Sequence, residues 1–111
     1  MNLLPNYERA VLPIEKLTNY CLNTEHPEGK HKAFVFERVL GITTLDANWL
    51  KAKIVDNLAF YGAKEMEGNE FGRKYVVEMA IEKEGNKANV RTVWIIEKSD
   101  LVPRLVSCYI K

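Results

Sequence analysis

The sequence predicts an α+β fold in which N-terminal helices pack on a C-terminal antiparallel meander sheet of three to four strands. Apolar residues recur with helical spacing up to Tyr61, whereas from Lys74 onward they alternate with polar residues as in strands. Short connections rich in turn-forming residues join the strand-like segments, as in a meander. At 111 residues without internal repeats, the chain is expected to form a single domain over residues 1–111 with one core.

Two helices are predicted before Gly41. The first runs from Pro13 to Leu22, because proline suits the first helical position and apolar residues follow at helical spacing. The second passes through Lys32–Leu40 and ends near Gly41, since glycine is favoured just after a helix. The residues of this helix expected to face the core are Phe36, Val39 and Leu40.

A third helix is predicted from the approximate capping box at Thr43–Asp46 to about Tyr61, with Gly62 ending it. The following segment, Glu65–Gly72, contains two glycines and an asparagine and is predicted to be a mobile loop. The apolar stripe of the helix is expected to consist of Leu45, Trp49, Leu50, Ile54, Leu58 and Tyr61.

Three strands follow from the change of period. Alternation predicts one strand over Lys74–Glu82 and another over Ala88–Lys98, with a turn at Glu84–Lys87 between them. A third strand, Arg104–Ile110, follows the turn that ends at Pro103.

Composition narrows the functional classes. The formal charge of +1 is far from the basic excess that supports non-specific nucleic-acid binding, so any RNA contact must rest on a local patch. The sequence contains neither a secretory signal nor an apolar run near the roughly 20 residues of a membrane-spanning helix, so a cytoplasmic protein without membrane contact is expected. Cys21 and Cys108 are too few for a disulfide framework, and both are interpreted as small buried apolar residues that the cytosol keeps reduced.

One candidate binding feature is the basic run Lys30, His31 and Lys32 at the start of the second predicted helix. Lysines are unfavourable at the positive end of a helix dipole unless an anion binds there, so the run is a candidate anion site. The alternative interpretation is a solvated loop with an exposed histidine.

A second candidate feature is Arg91 with Thr92 in the middle of a predicted strand. An arginine on a strand face shared with apolar residues either pairs with a carboxylate or faces a ligand, and Glu78 or Glu82 on the neighbouring strand could supply the pair. Arg104 is either a further cation of a site or a charge that protects a sheet edge.

Other kinds of site are not indicated. His26 and His31 are five residues apart across Pro27, which is poor spacing for metal ligands, so no metal site is expected. No phosphate-binding glycine loop, nucleophile elbow or dinucleotide fingerprint occurs, so no cofactor is expected. Trp49 and Trp94 fall in apolar stripes and are interpreted as core residues.

Four strings carry a resemblance to a known family: Glu25–Ala33, Leu40-Gly41 with Phe36 before it, Val90–Ile96 and Pro103–Val106. Together they resemble a small bacterial domain-of-unknown-function family over nearly the whole chain. Members of that family look like free-standing small proteins and like C-terminal modules of larger phage-related or toxin-like proteins.

Helices before a meander sheet, with a histidine on the helical side and Arg-Thr on a strand, are also similar to the barnase, EndoU, colicin and RelE group of metal-independent ribonucleases. This resemblance implies that His31 is the general acid or base and that Lys32 and Arg91 neutralise the phosphorane. It further implies that Thr92 hydrogen-bonds a phosphate oxygen, with Lys30 and Arg104 as substrate-binding cations. Such chemistry needs a proton shuttle and preorganised positive charge.

Two functional hypotheses follow. The first is a metal-independent endoribonuclease, as in the toxin of a toxin-antitoxin pair, with RNA as substrate and a cognate antitoxin as partner. The second is a noncatalytic protein-binding module of a phage-related or toxin system, which near neutrality and the incomplete catalytic set favour.

Overall fold

Four strands form one antiparallel sheet of order β1-β2-β3-β4 in the computed structural model, which describes residues 1–111. Each strand pairs with the next along the chain, so the sheet is a meander. The α+β prediction with an antiparallel meander is confirmed, and the last strand has the predicted bounds. The strands are β1 Ala63–Asn69, β2 Gly72–Lys83, β3 Asn86–Glu97 and β4 Arg104–Ile110.

Two α-helices precede the sheet: α1 spans Lys30–Leu40 and α2 spans Ala47–Asn57. Gly41 ends α1 in the left-handed conformation, with φ of 69°, as predicted for a residue just after a helix. No helix is both long and apolar enough to cross a membrane. Shorter turns are the 3₁₀ turns Tyr7–Arg9 and Thr44–Asp46 and a single π-helical turn, Leu17–Cys21.

The core lies on one face of the sheet, which we call the inner face. Its β2 and β3 residues join residues of α1, α2 and the π-helical turn in one cluster of 22 buried apolar residues. Strand alternation places the remaining residues on the outer face, where Val76, Val93 and Ile95 stay partly exposed. The inner-face residues of the two long strands are Tyr75, Val77, Met79, Ile81, Ala88, Val90, Thr92, Trp94 and Ile96.

The first helix is shorter than predicted. Between Pro13 and Leu22 only residues 15–21 are helical. The π-helical turn closes this segment, because the amide of Leu22 donates to the carbonyl of Leu17, five residues back, at 2.9 Å. Leu17, Cys21 and Leu22 are nevertheless buried, so the predicted apolar face is correct.

The second and third helices each depart from prediction at one apolar residue. Val39 is 36% exposed, because α1 turns Ala33, Phe36 and Leu40 to the core instead. Leu45 is 95% exposed, because it lies in the 3₁₀ turn before α2, out of phase with the helix.

The predicted cap of the third helix is confirmed, but its end is not. Thr43 Oγ1 accepts from the Leu45 amide at 3.3 Å, and Asp46 Oδ2 accepts from the Thr43 amide at 2.9 Å. The helix ends at Asn57 rather than near Tyr61, because shorter bonds such as Leu58 N to Val55 O replace the α-helical pattern.

The mobile loop predicted at Glu65–Gly72 is wrong. Most of it belongs to β1, which pairs antiparallel with β2 as an edge strand. Six of the seven β1 residues are exposed, so apolar and polar residues do not alternate there and the strand leaves no periodic signal. The predicted turn between β2 and β3 is confirmed as a two-residue turn, in which Glu84 and Gly85 both have positive φ.

Candidate functional site

Thr92 lies in the core, where no ligand reaches it. Its side chain is fully buried, and its hydroxyl donates to the carbonyl of Val77 at 2.8 Å and accepts from Trp94 Nε1 at 2.8 Å. The phosphate-binding role predicted for Thr92 is incompatible with this position. Arg91 and Thr92 are consecutive in β3 and therefore point to opposite faces of the sheet.

Arg91 lies on the outer face in a network of polar side chains. Its guanidinium is 3.6 Å from the Glu78 carboxylate and donates to the Tyr109 hydroxyl at 3.4 Å. Lys111 Nζ lies 3.1 Å from the same carboxylate, and Lys32 Nζ lies 4.4 Å from the centre of the Tyr109 ring. The interpretation of Arg91 as the ion-pair partner of Glu78 is confirmed, and the network also brings Lys32 towards Arg91.

The network shifts the pKa values of both Arg91 and Glu78. The Tyr109 hydroxyl and then Glu78 raise the pKa of Arg91 against the smaller opposing effect of burial. Hydrogen bonding to Lys111, and then the charge of Arg91, lowers the pKa of Glu78. Lys32, Arg91 and Lys111 supply three cations against the single carboxylate of Glu78, so the network keeps a positive excess.

Lys30 and His31 do not join this network. Both are exposed at the first turn of α1. Lys32, one residue further, turns to β4 instead. The predicted catalytic residues are therefore divided among the core, the outer face and the surface of α1, and the structure does not assemble them into one site.

The largest concavity is a cavity of about 700 Å³ between the π-helical turn, the loop before α1 and the start of β4. We call it the β4 pocket. Arg104, one of the predicted cations, lines the pocket. Val11 holds the backbone on both sides of Arg104, because Val11 N donates to Pro103 O and Leu105 N donates to Val11 O. The lining residues are Pro13, Glu15, Lys16, Asn19, Tyr20, His26, Glu28, Arg104, Val106 and Ser107.

His26 holds the loop at the rim of the β4 pocket. Its Nδ1 accepts from the amides of Glu28 at 3.0 Å and Gly29 at 2.9 Å, so the neutral ring carries its proton on Nε2. The Tyr20 ring meets the imidazole edge to face, with 4.8 Å between centroids. Gly29 is needed for this packing, because a Cβ there would lie 2.9 Å from the Tyr20 ring.

The charges of the β4 pocket are balanced. Lys16 and Arg104 supply two cations, and Glu15 and Glu28 supply two carboxylates. The pocket therefore offers phosphate-binding cations, carboxylates that can accept a proton, and an Nε2–H donor.

One buried polar atom at the β4 pocket lacks a hydrogen-bond partner. Ser107 Oγ is buried and forms no hydrogen bond of normal geometry. The neighbouring Cys21 Sγ accepts from the Cys108 amide at 3.4 Å.

Sequence reasoning missed most of this pocket. The sequence pattern suggests His26 only as a possible metal ligand, and it does not distinguish Lys16, Glu15 and Tyr20 from ordinary surface residues. Lys16 and Arg104 are far apart in the chain and meet only through the fold. The available signal was the resemblance, because two of its strings contain His26 and Arg104. No three histidine, cysteine or acidic side chains converge in a way that could hold a metal ion.

Comparison with known proteins shows the family to which the chain belongs. No curated protein and no solved structure matches the chain. A family model described as Domain of unknown function (DUF6883) matches residues 3–111. The match covers nearly the whole chain, and the protein therefore belongs to the DUF6883 family.

Proposed function

We propose that this domain is a metal-independent endoribonuclease and that the β4 pocket, rather than the residues around His31, is its active site. The proposal is supported by one observation above all: cations, carboxylates and a histidine N–H donor line one concavity. It is further supported by the resemblance to the barnase, EndoU, colicin and RelE group. A toxin of a bacterial toxin-antitoxin pair is the biological role that this resemblance favours.

Each class of side chain has a role in cleaving RNA through its 2′-hydroxyl. Glu15 or Glu28 accepts the proton of the 2′-hydroxyl as that oxygen attacks the phosphorus atom. Lys16 and Arg104 stabilise the negative charge that develops on the phosphorane oxygens, and the Lys16 ammonium protonates the departing 5′-oxygen. His26 donates Nε2–H to a phosphate oxygen, while its Nδ1 accepts the amides of Glu28 and Gly29. The products are a 2′,3′-cyclic phosphate and a free 5′-hydroxyl.

The direct test is cleavage of labelled RNA oligonucleotides of mixed sequence in the presence of EDTA. We expect products that end in a 2′,3′-cyclic phosphate. Oligonucleotides of the same sequences with 2′-O-methyl groups lack the attacking hydroxyl and should not be cleaved. Arg104→Ala is expected to reduce the rate by at least about tenfold, as for loss of one cation that stabilises developing charge. Arg38→Ala is the matched control, because Arg38 is exposed on α1 and does not line the pocket. No cleavage by the wild-type chain, or equal rates for the two variants, would overturn the proposal.

A second candidate function, binding of an acidic protein partner, is favoured by the outer face. A groove of about 310 Å³ there is lined by Lys64, Arg91 and Lys111, with Glu78 as its only acidic residue. Val76 and Val93 are partly exposed across the same face. A cationic surface with apolar patches suits a segment that carries both carboxylates and apolar side chains, such as part of a cognate antitoxin.

Binding of a labelled peptide of alternating glutamate and leucine tests this second candidate. Lys64→Glu and Lys111→Glu are expected to weaken binding, and Lys87→Glu, at the far hairpin end of the sheet, serves as the charge-matched control. Equal losses of peptide affinity in all three variants would show that binding depends only on net charge. The outer face would then not be a specific binding site. Preference for an RNA of equal charge would instead assign the face to nucleic acid.

A further inference from the structure

The only two cysteines of the chain meet in the core although they lie 87 positions apart in the sequence. Cys21 belongs to the π-helical turn and Cys108 to β4, and both are buried. The Cys108 amide donates to Cys21 Sγ at 3.4 Å. Because the amide nitrogen of a residue is two bonds from its own Cβ, the Cys21 sulfur lies close to the base of the Cys108 side chain.

The two thiols differ in reactivity. The Cys108 thiol lowers the pKa of Cys21 to about 7, helped by the Cys108 amide, the Ser107 hydroxyl and the charge of Lys16 against the opposing effect of burial. Cys21 and burial together raise the pKa of Cys108 well above its ordinary value. The lower pKa favours Cys21 as the attacking thiolate in any reaction with an oxidant, with Cys108 as the thiol that follows.

The β4 pocket lies on the side of the fold from which a peroxide would approach Cys21. Tyr20 and Ser107, the residues that precede the two cysteines, both line this pocket. The cysteines themselves are buried behind that wall, at 1% and 0% exposure, so a peroxide reaches Cys21 only when the wall opens locally.

We infer that Cys21 and Cys108 are a thiol oxidation site that forms a reversible intramolecular disulfide with a peroxide. In the first step the Cys21 thiolate attacks one peroxide oxygen, the O–O bond breaks, and Cys21 becomes a sulfenic acid as hydroxide or water leaves. In the second step the Cys108 sulfur attacks the Cys21 sulfur, the S–O bond breaks, and water leaves. The two sulfurs are oxidised together by two electrons and hydrogen peroxide is reduced to two molecules of water. This inference does not depend on the proposed ribonuclease activity.

The disulfide would join the π-helical turn to β4 and close a loop that contains both α-helices and three strands. A crosslink over such a long segment restricts the unfolded chain, so the urea midpoint of the oxidised protein is expected to rise. Reduction by dithiothreitol should return it to the starting value.

Mass spectrometry of the full chain treated with hydrogen peroxide tests the inference. We expect a monomer lighter by two hydrogens, a linked pair of peptides containing Cys21 and Cys108, and reversal by dithiothreitol. Cys108→Ser should instead trap the sulfenic acid on Cys21, which dimedone labels. The wild-type peptide map decides the question even if this variant folds poorly. Two free thiols after treatment, a chain that only gains oxygen, or a disulfide between two chains would overturn the inference.

Discussion

Polar residues on the two faces of the sheet have opposite environments. The consecutive β3 residues Arg91 and Thr92 show this difference most clearly. On the inner face Thr92 is fully buried and both of its hydrogen bonds are made inside the protein. On the outer face Arg91 keeps 29% of its side-chain surface exposed and shares a network open to solvent. Their adjacency in the sequence suggests one shared site. In the strand, however, consecutive side chains point to opposite faces, so Thr92 lies in the core and Arg91 lies at the surface.

The largest expected effect is on the inner face. Thr92→Val removes the hydroxyl and leaves the buried Trp94 Nε1–H without an acceptor, which should lower the free energy of unfolding by about 2 kcal/mol. Urea denaturation measures this change. Thr92→Ser keeps the hydroxyl and should cost less, and Trp94→Phe combined with Thr92→Val should show that the two losses are not additive. Additive losses would contradict the hydrogen-bond account.

An intermediate effect on stability is expected at His26, which lies near the surface but hydrogen-bonds to backbone amides of the protein. His26→Ala leaves the Glu28 and Gly29 amides without their acceptor, and loss of such a cap costs about 1 kcal/mol. His31→Ala is the matched control, because His31 is exposed on α1. Thermal unfolding of the two variants should separate them, and equal stabilities would show that His26 does not hold the loop.

A smaller effect is expected on the outer face. Arg91→Ala should leave the free energy of unfolding nearly unchanged, since ion pairs open to solvent contribute little. The same urea experiment that measures Thr92→Val measures this variant. A loss comparable to that of Thr92→Val would end the distinction between the two faces.

The smallest expected effect is the pH dependence of the outer-face network. The pKa of Glu78 is lowered, chiefly by Lys111, so the folded state favours the carboxylate. Its contribution to stability is therefore present above the unfolded pKa, near 4.5, and is lost as the pH falls through the lower folded value. Glu78→Gln should differ from wild type above this window and converge with it below. A constant difference at all pH values would exclude this linkage.

The parts of the fold that sequence patterns predicted are those where burial repeats at a fixed period. Buried and more exposed residues alternate over residues 75–82 of β2 and 88–97 of β3, and Thr43 with Asp46 forms the predicted cap. β1 could not be predicted, because an exposed edge strand buries no face and needs no apolar alternation. Only the periodic pattern is missing, since β1 still pairs antiparallel with β2, with one register shift between Met66 and Asn69.

The candidate site was less predictable than the fold. The expected pairing of Arg91 with Glu78 is found in the structure. Arg104, expected either to bind substrate or to protect a sheet edge, lines the β4 pocket at the start of the edge strand β4. The β4 pocket could not be predicted, because Lys16 and Arg104 come together only when the π-helical turn packs against β4. No local pattern records a contact between segments so far apart in the chain.

The proposed ribonuclease activity requires that RNA binds the β4 pocket and not the outer face. Titration of the ¹⁵N-labelled chain with a 2′-O-methyl RNA oligonucleotide, which binds but cannot be cleaved through its 2′-oxygen, tests it directly by amide chemical shifts. We expect the largest shifts at the pocket residues Lys16, Tyr20, Glu28 and Ser107 and small shifts around Arg91 and Lys111. Shifts confined to the outer face, or no shifts at RNA concentrations that saturate cleavage, would contradict the claim.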